Sequence, residues 1–155
     1  LAMDEACLLS KYEQYAVAQE NWQKDLTRLA ISHNPELTEV ANLYLNDQLV
    51  LIEKRLIAVS ALLSHSPLKL HTEKKINRWL KLDTSDENEL AKLSPSYVSV
   101  LKKHEANKSR QPHKSGDKLR EVMRTQVSPS KGFKVLYATF TDKVSAINNI
   151  DCSAT

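Results

Sequence analysis

A chain of 155 residues, 41% apolar and 26% charged, has the composition of an ordinary folded domain and not of a disordered tail. A chain of this length buries roughly 70% of its extended surface, enough for a core without staples. The net charge of +3 is too small to demand a polyanionic partner, and two glycines, Gly116 and Gly132, are too few for the turns of a sandwich or a Rossmann-type sheet.

The expected fold class is all-α. We expect a single helical domain over residues 1–155: a long antiparallel helix pair over about 4–64, with about four shorter helices over about 72–150 packed on it. From about Asp4 to Ile31, Leu8, Tyr12, Tyr15, Trp22, Leu26 and Leu29 recur at helical spacing, with Gln19 in the one polar slot. That predicts an amphipathic rod of roughly 40 Å. Asn34 then offers a side-chain oxygen to cap a new helix, and Pro35 suits a first turn, where no N–H is needed. The second helix is expected from about Pro35 to Ser64. Its stripe Leu45, Leu49, Ile52, Leu56, Val59, Leu63 runs beside another through Leu37, Ala41, Tyr44, Leu51 and Leu62. Two adjacent stripes mean cover on more than one side, so this helix is placed at the centre. The most apolar stretch, 49–63, is interrupted by Glu53, Lys54 and Arg55 and is no membrane span.

Ser66-Pro67 ends the central helix. A modest helix is predicted over about Thr72–Leu82, burying Ile76, Trp79 and Leu80, and residues 83–86 cap the next, which carries Leu90 and Leu93. Ser94-Pro95 opens another, with Tyr97, Val98 and Leu101 on one face. A polar loop is predicted over 106–116, then a short helix over about Asp117–Gln126 with Leu119, Val122 and Met123 inward. Ser128-Pro129 is expected to open the last helix, whose seam is Phe133, Leu136, Tyr137, Phe140, Val144 and Ile147. A strand over 133–141 is the alternative, but no other segment offers it a partner. Each Ser-Pro pair precedes a renewed apolar pattern, which favours capping over proline-directed phosphorylation.

Few residues suggest chemistry. Cys7 and Cys152 lie near opposite ends of the chain and form a disulfide candidate. A bridge there would close nearly the whole chain, stabilise it by about 4–5 kcal/mol and imply an oxidising compartment. The chain begins at Leu1 and not at Met, as a cleaved export signal would leave it, although a start set for other reasons would look the same. The expected location is therefore periplasmic or secreted; two unrelated thiols in a cytoplasmic protein is the alternative. The five histidines show no helical metal spacing, and there is no His-Glu-x-x-His, Gly-rich phosphate loop or nucleophile elbow. No catalytic residue, metal site or cofactor is assigned.

The strongest lead is the stretch 102–124. Lys102, Lys103, Lys108, Arg110, Lys114, Lys118, Arg120 and Arg124 outweigh Glu105, Asp117 and Glu121 there by more than the charge of the whole chain. With His113 they form a candidate surface for an anion or an acidic partner. The stretch has no aromatic residue for base stacking, so nucleic acid is possible but not favoured. Asn107-Lys108-Ser109 fits the glycosylation sequon, which matters only in a eukaryotic secretory route. The expected function is an exported, non-enzymatic helical binding protein with a protein partner. The alternative is a cytosolic binder of nucleic acid or another polyanion through 102–124.

Overall fold

A computed structural model describes residues 3–153. Its α-helices are α1 (Glu5–His33), α2 (Thr38–His65), α3 (Thr84–Leu93), α4 (Pro95–Ser109), α5 (Gly116–Val122) and α6 (Lys131–Asn148). No strand forms among the described residues; Met3 and Ser153 share one isolated antiparallel bridge. The region 133–141 is helical, as its spacing predicts.

Asp4 caps α1 by accepting from the Cys7 backbone N–H at 3.1 Å. Nothing interrupts the helix until Asn34, so its 29 residues form a rod of roughly 43 Å. Asn34 then accepts from Glu36 N–H at 3.1 Å. Pro35–Leu37 forms a tight 3-10 turn, and α2 starts only at Thr38. The Asn-Pro pair therefore turns the chain before it restarts the helix. Asp83 and Asp86 cap α3 reciprocally, and Ser94 caps α4 through Tyr97 N–H at 3.1 Å.

The long pair α1–α2 is the spine. α6 lies antiparallel along α1, α4 lies antiparallel along α2, and α3 touches both α2 and α4. α5 crosses the end where α1 passes into α2. The buried side chains divide into two clusters on this spine. The larger joins Tyr12, Ala58, Val59, Trp79, Tyr97 and Cys152. The smaller, at the α1–α2 turn, joins Ala30, Leu37, Val40, Ala41, Leu119 and Val127.

Three expectations need correction. Residues 72–82 form no α-helix, only a 3-10 turn over Ile76–Arg78. Their hydrogen bonds go elsewhere: Ile76 N–H donates to Asn148 Oδ1 of α6 at 2.9 Å, and His71 N–H to the Trp79 carbonyl at 3.0 Å. Ile76 and Trp79 are nonetheless buried, with Trp79 stacked on Tyr12 at 5.8 Å between ring centres.

The polar loop is shorter than 106–116, because α4 continues through Ser109. Its last turn is solvated and carries a Lys108–Glu105 pair at 3.1 Å, so polarity alone did not end the helix.

The predicted helix 117–126 is α5 followed by a π turn over Met123–Val127, which Ser128 N–H closes on the Met123 carbonyl at 2.8 Å. Ser128 keeps helical backbone angles and cannot cap α6. Ser130 does so, accepting from Phe133 N–H at 3.1 Å. α6 comes close to α1 here: a Cβ on Gly132 would stand 3.1 Å from Leu29 Cδ1.

Candidate functional site

At the open end of the α1–α6 pair, the Cys7 and Cys152 sulfurs are 2.08 Å apart, at disulfide distance, with Cα atoms 5.5 Å apart. The C-terminal tail is held there by more than sulfur. Asp4 N–H donates to the Cys152 carbonyl at 3.0 Å. Lys11 Nζ donates to the carbonyls of Asn148 (3.3 Å) and Ile150 (2.9 Å) while lying over the Trp79 ring. Burial lowers the Lys11 pKa, and Asp151 opposes that shift.

The basic stretch does not form one continuous face. Arg110 reaches back to α2 and donates to the two Asp47 carboxylate oxygens from its two terminal guanidinium nitrogens, at 3.0 and 2.5 Å. That fork pushes the Arg110 pKa up. His113 also turns onto α2, with Nε2 2.9 Å from Glu39 Oε1, while its Nδ1 accepts from Ser115 N–H at 2.9 Å. An accepting Nδ1 leaves the ring proton on Nε2, so His113 donates to Glu39. That hydrogen bond holds the Glu39 carboxyl below its ordinary range.

Lys108 pairs with Glu105, Lys118 with Glu121 at 3.6 Å, and Arg120 with Asp117. Lys102, Lys103, Lys114 and Arg124 are exposed and have no carboxylate partner among the described residues. Residues 110–115 thus form a strap fastened to α2 at two points. Glu39 and Asp47 were not legible as its anchors, because 74 and 63 residues separate them from His113 and Arg110.

Beyond the strap lies a groove of about 480 Å³ between α1, α2 and the α5–π segment. Its walls are Leu26, Ala30, Ala41, Leu45, Leu119 and Met123. Ala30 and Ala41 are both buried and line the hollow from α1 and α2 respectively. The polar residues around these walls are Gln23, Thr27, Tyr44, Gln48, Arg120, Arg124 and Ser128.

The π turn helps to shape this wall. Its extra residue keeps Leu119, Met123 and Ser128 facing the groove at spacings of four and five, where a regular helix would rotate the last away. Gly116 matters here as well. A Cβ at that position would stand 2.5 Å from the Tyr44 hydroxyl.

A larger hollow of about 720 Å³ lies between residues 75–77 and α6, with a mixed lining in which Lys75, Asn77, Ser145 and Asn148 alternate with Tyr15, Tyr137, Phe140 and Val144. Among the described residues, no three His, Cys, Asp or Glu side chains gather as metal ligands, and no helix is long and apolar enough to cross a membrane. The chain matches no family model, and comparison with curated proteins and with solved structures finds none similar to it.

Proposed function

We propose that this chain is a non-enzymatic helical binding protein of an oxidising, extracytoplasmic compartment, and that it takes an apolar ligand into the groove between α1, α2 and α5. The groove carries the reading: a hollow of about 480 Å³ with apolar walls and a polar rim has the size and lining of a small-molecule site. Its volume does not suit a docked helix. A cylinder 10–12 Å across would fill it within about one turn. The proximity of Cys7 and Cys152 supports the compartment, since disulfides persist where the surroundings are oxidising.

The test is calorimetric titration with a neutral alkyl probe, octanol or decanol, kept below its aggregation limit. The reading expects saturable binding at one site. Gln48 lies exposed on the rim, so Gln48→Trp should block entry without overfilling the core. No saturable uptake by the unaltered protein would end this reading.

A second reading, polyanion binding through residues 102–124, rests on Lys102, Lys103, Lys114 and Arg124, which have no carboxylate partner among the described residues. It ranks below the first because Lys108, Arg110, His113, Lys118 and Arg120 are engaged within the fold. It expects binding to an oligonucleotide or heparin that weakens steeply with salt. Absence of binding at low salt would remove it.

A further inference from the structure

The groove has a charge sign as well as a shape. Its rim carries two arginines, and no carboxylate lines it. Arg120 and Arg124 lie one turn apart on the α5–π segment and look onto the same opening. Among the described residues Arg124 has no carboxylate partner, and the Asp117 that pairs with Arg120 is exposed and outside the groove. Tyr44, on the facing helix, adds a hydroxyl beside Arg120. An apolar hollow with paired cations at its mouth is complementary to a molecule that is apolar along its length and anionic at one end.

The dimensions narrow the class. Along α1 the lining runs from Gln23 to Ala30, and along α2 from Ala41 to Gln48. Each span is seven residue steps, or roughly 10 Å at the helical rise. An extended alkyl chain with single bonds of about 1.5 Å and angles near 111° covers that length in roughly eight to ten carbons.

We propose that the ligand is a monomeric, medium-chain alkyl carboxylate, with its chain along the α1–α2 furrow and its head group between Arg120 and Arg124. This rests on the groove being the binding site. A carboxylate can accept from the Arg124 guanidinium and, in competition with the exposed Asp117, from that of Arg120. Chain length sets affinity and the arginines set head-group preference.

The experiment is a calorimetric series at low salt with straight-chain carboxylates of six to twelve carbons, alkanols of matching length, and alkyltrimethylammonium ions. All are held below their aggregation limits. Affinity for the carboxylates should rise about fourfold per methylene, the worth of burying one such group, and level off near eight to ten carbons. Each carboxylate should bind more tightly than its alkanol, and the cationic chain more weakly than either. Arg124→Gln and Arg120→Gln should each lower carboxylate affinity by about three- to tenfold, as for a partly exposed charged contact, and lower alkanol affinity by less.

If alkanols bind as tightly as carboxylates, the head-group assignment is wrong while the groove remains a site. If neither binds, the site itself is wrong. Binding to anionic vesicles with no binding of monomeric carboxylate would overturn the proposal in favour of a membrane surface.

Discussion

Cys7→Ala/Cys152→Ala is the most informative perturbation of the fold. The two cysteines are 145 positions apart, so a bond between them closes almost the entire chain. The loop-entropy relation assigns a closure of that size about 5 kcal/mol. Unfolding entropy of about 2.1 cal/mol/K per residue gives roughly 0.33 kcal/mol/K for a chain of this length, so the expected loss in Tm is about 15 °C. The native structure should survive the change. The Asp4–Cys152 backbone bond and the grip of Lys11 on two carbonyls hold the ends together without sulfur. The loss therefore acts through the unfolded state, which gains freedom, and the circular dichroism of the folded state should not alter. Thermal denaturation of the oxidised protein and the variant measures the difference. Alkylating the unreduced, denatured protein and weighing it establishes whether the bond exists. Two added labels, or a Tm difference below about 3 °C, would refute the reasoning.

The caps give a paired expectation: Ser130→Ala should destabilise by about 1 kcal/mol, whereas Ser128→Ala should change Tm by less than a degree, because only Ser130 accepts from α6. Arg110→Ala should undo one of the two fastenings of the strap over 110–115, and limited trypsin digestion should then cut at Lys114 faster while far-ultraviolet dichroism stays unchanged. The Tyr97 side chain is fully buried, its hydroxyl has no hydrogen-bond partner among the described residues, and burial pushes its pKa up to about 12. Tyr97→Phe should therefore be neutral or slightly stabilising in a urea titration, and a clear loss would show that the hydroxyl is satisfied. Burial first, then Lys54 and Lys108, lowers the His104 pKa below its ordinary 6.5, against the opposing pull of Glu105 and Glu87. A depressed pKa means that the fold prefers the neutral ring, so this contribution is complete above 6.5 and is lost as pH falls through the folded value. Urea midpoints at pH 7.5 and 5.5 should differ less in His104→Gln than in the unaltered chain.

The parts of this fold that a sequence shows are those held by their own neighbours. α1 and α2 were legible because their apolar positions repeat for eight turns, and the caps at Asn34, Asp83 and Ser94 because each bonds an N–H two or three residues away. Residues 71–82 were not, because the group that holds Ile76 N–H is the side chain of Asn148, 72 residues later. The strap was hidden for the same reason, since a fork between Arg110 and Asp47 leaves no periodic trace. The groove was harder still. Its walls come from α1, α2 and the α5–π segment, and only the meeting of the three in the fold turns their apolar positions into one hollow. The cysteines needed no such contact to be noticed, because their positions at the two ends already suggested the closure.

The division of the buried side chains into two clusters has a dynamic consequence. One spine runs through both, yet the sulfur pair and the tail secure only the larger. The smaller is closed by α5 and the π turn, which add little more than three turns of helix. Amide protons in α5 should therefore exchange with solvent through local opening, ahead of those around Val59 and Tyr97, whose release requires the whole molecule to unfold. The end of the bundle that carries the groove can thus breathe while the other stays shut. A ligand lying across α1, α2 and α5 would slow that exchange at one end only.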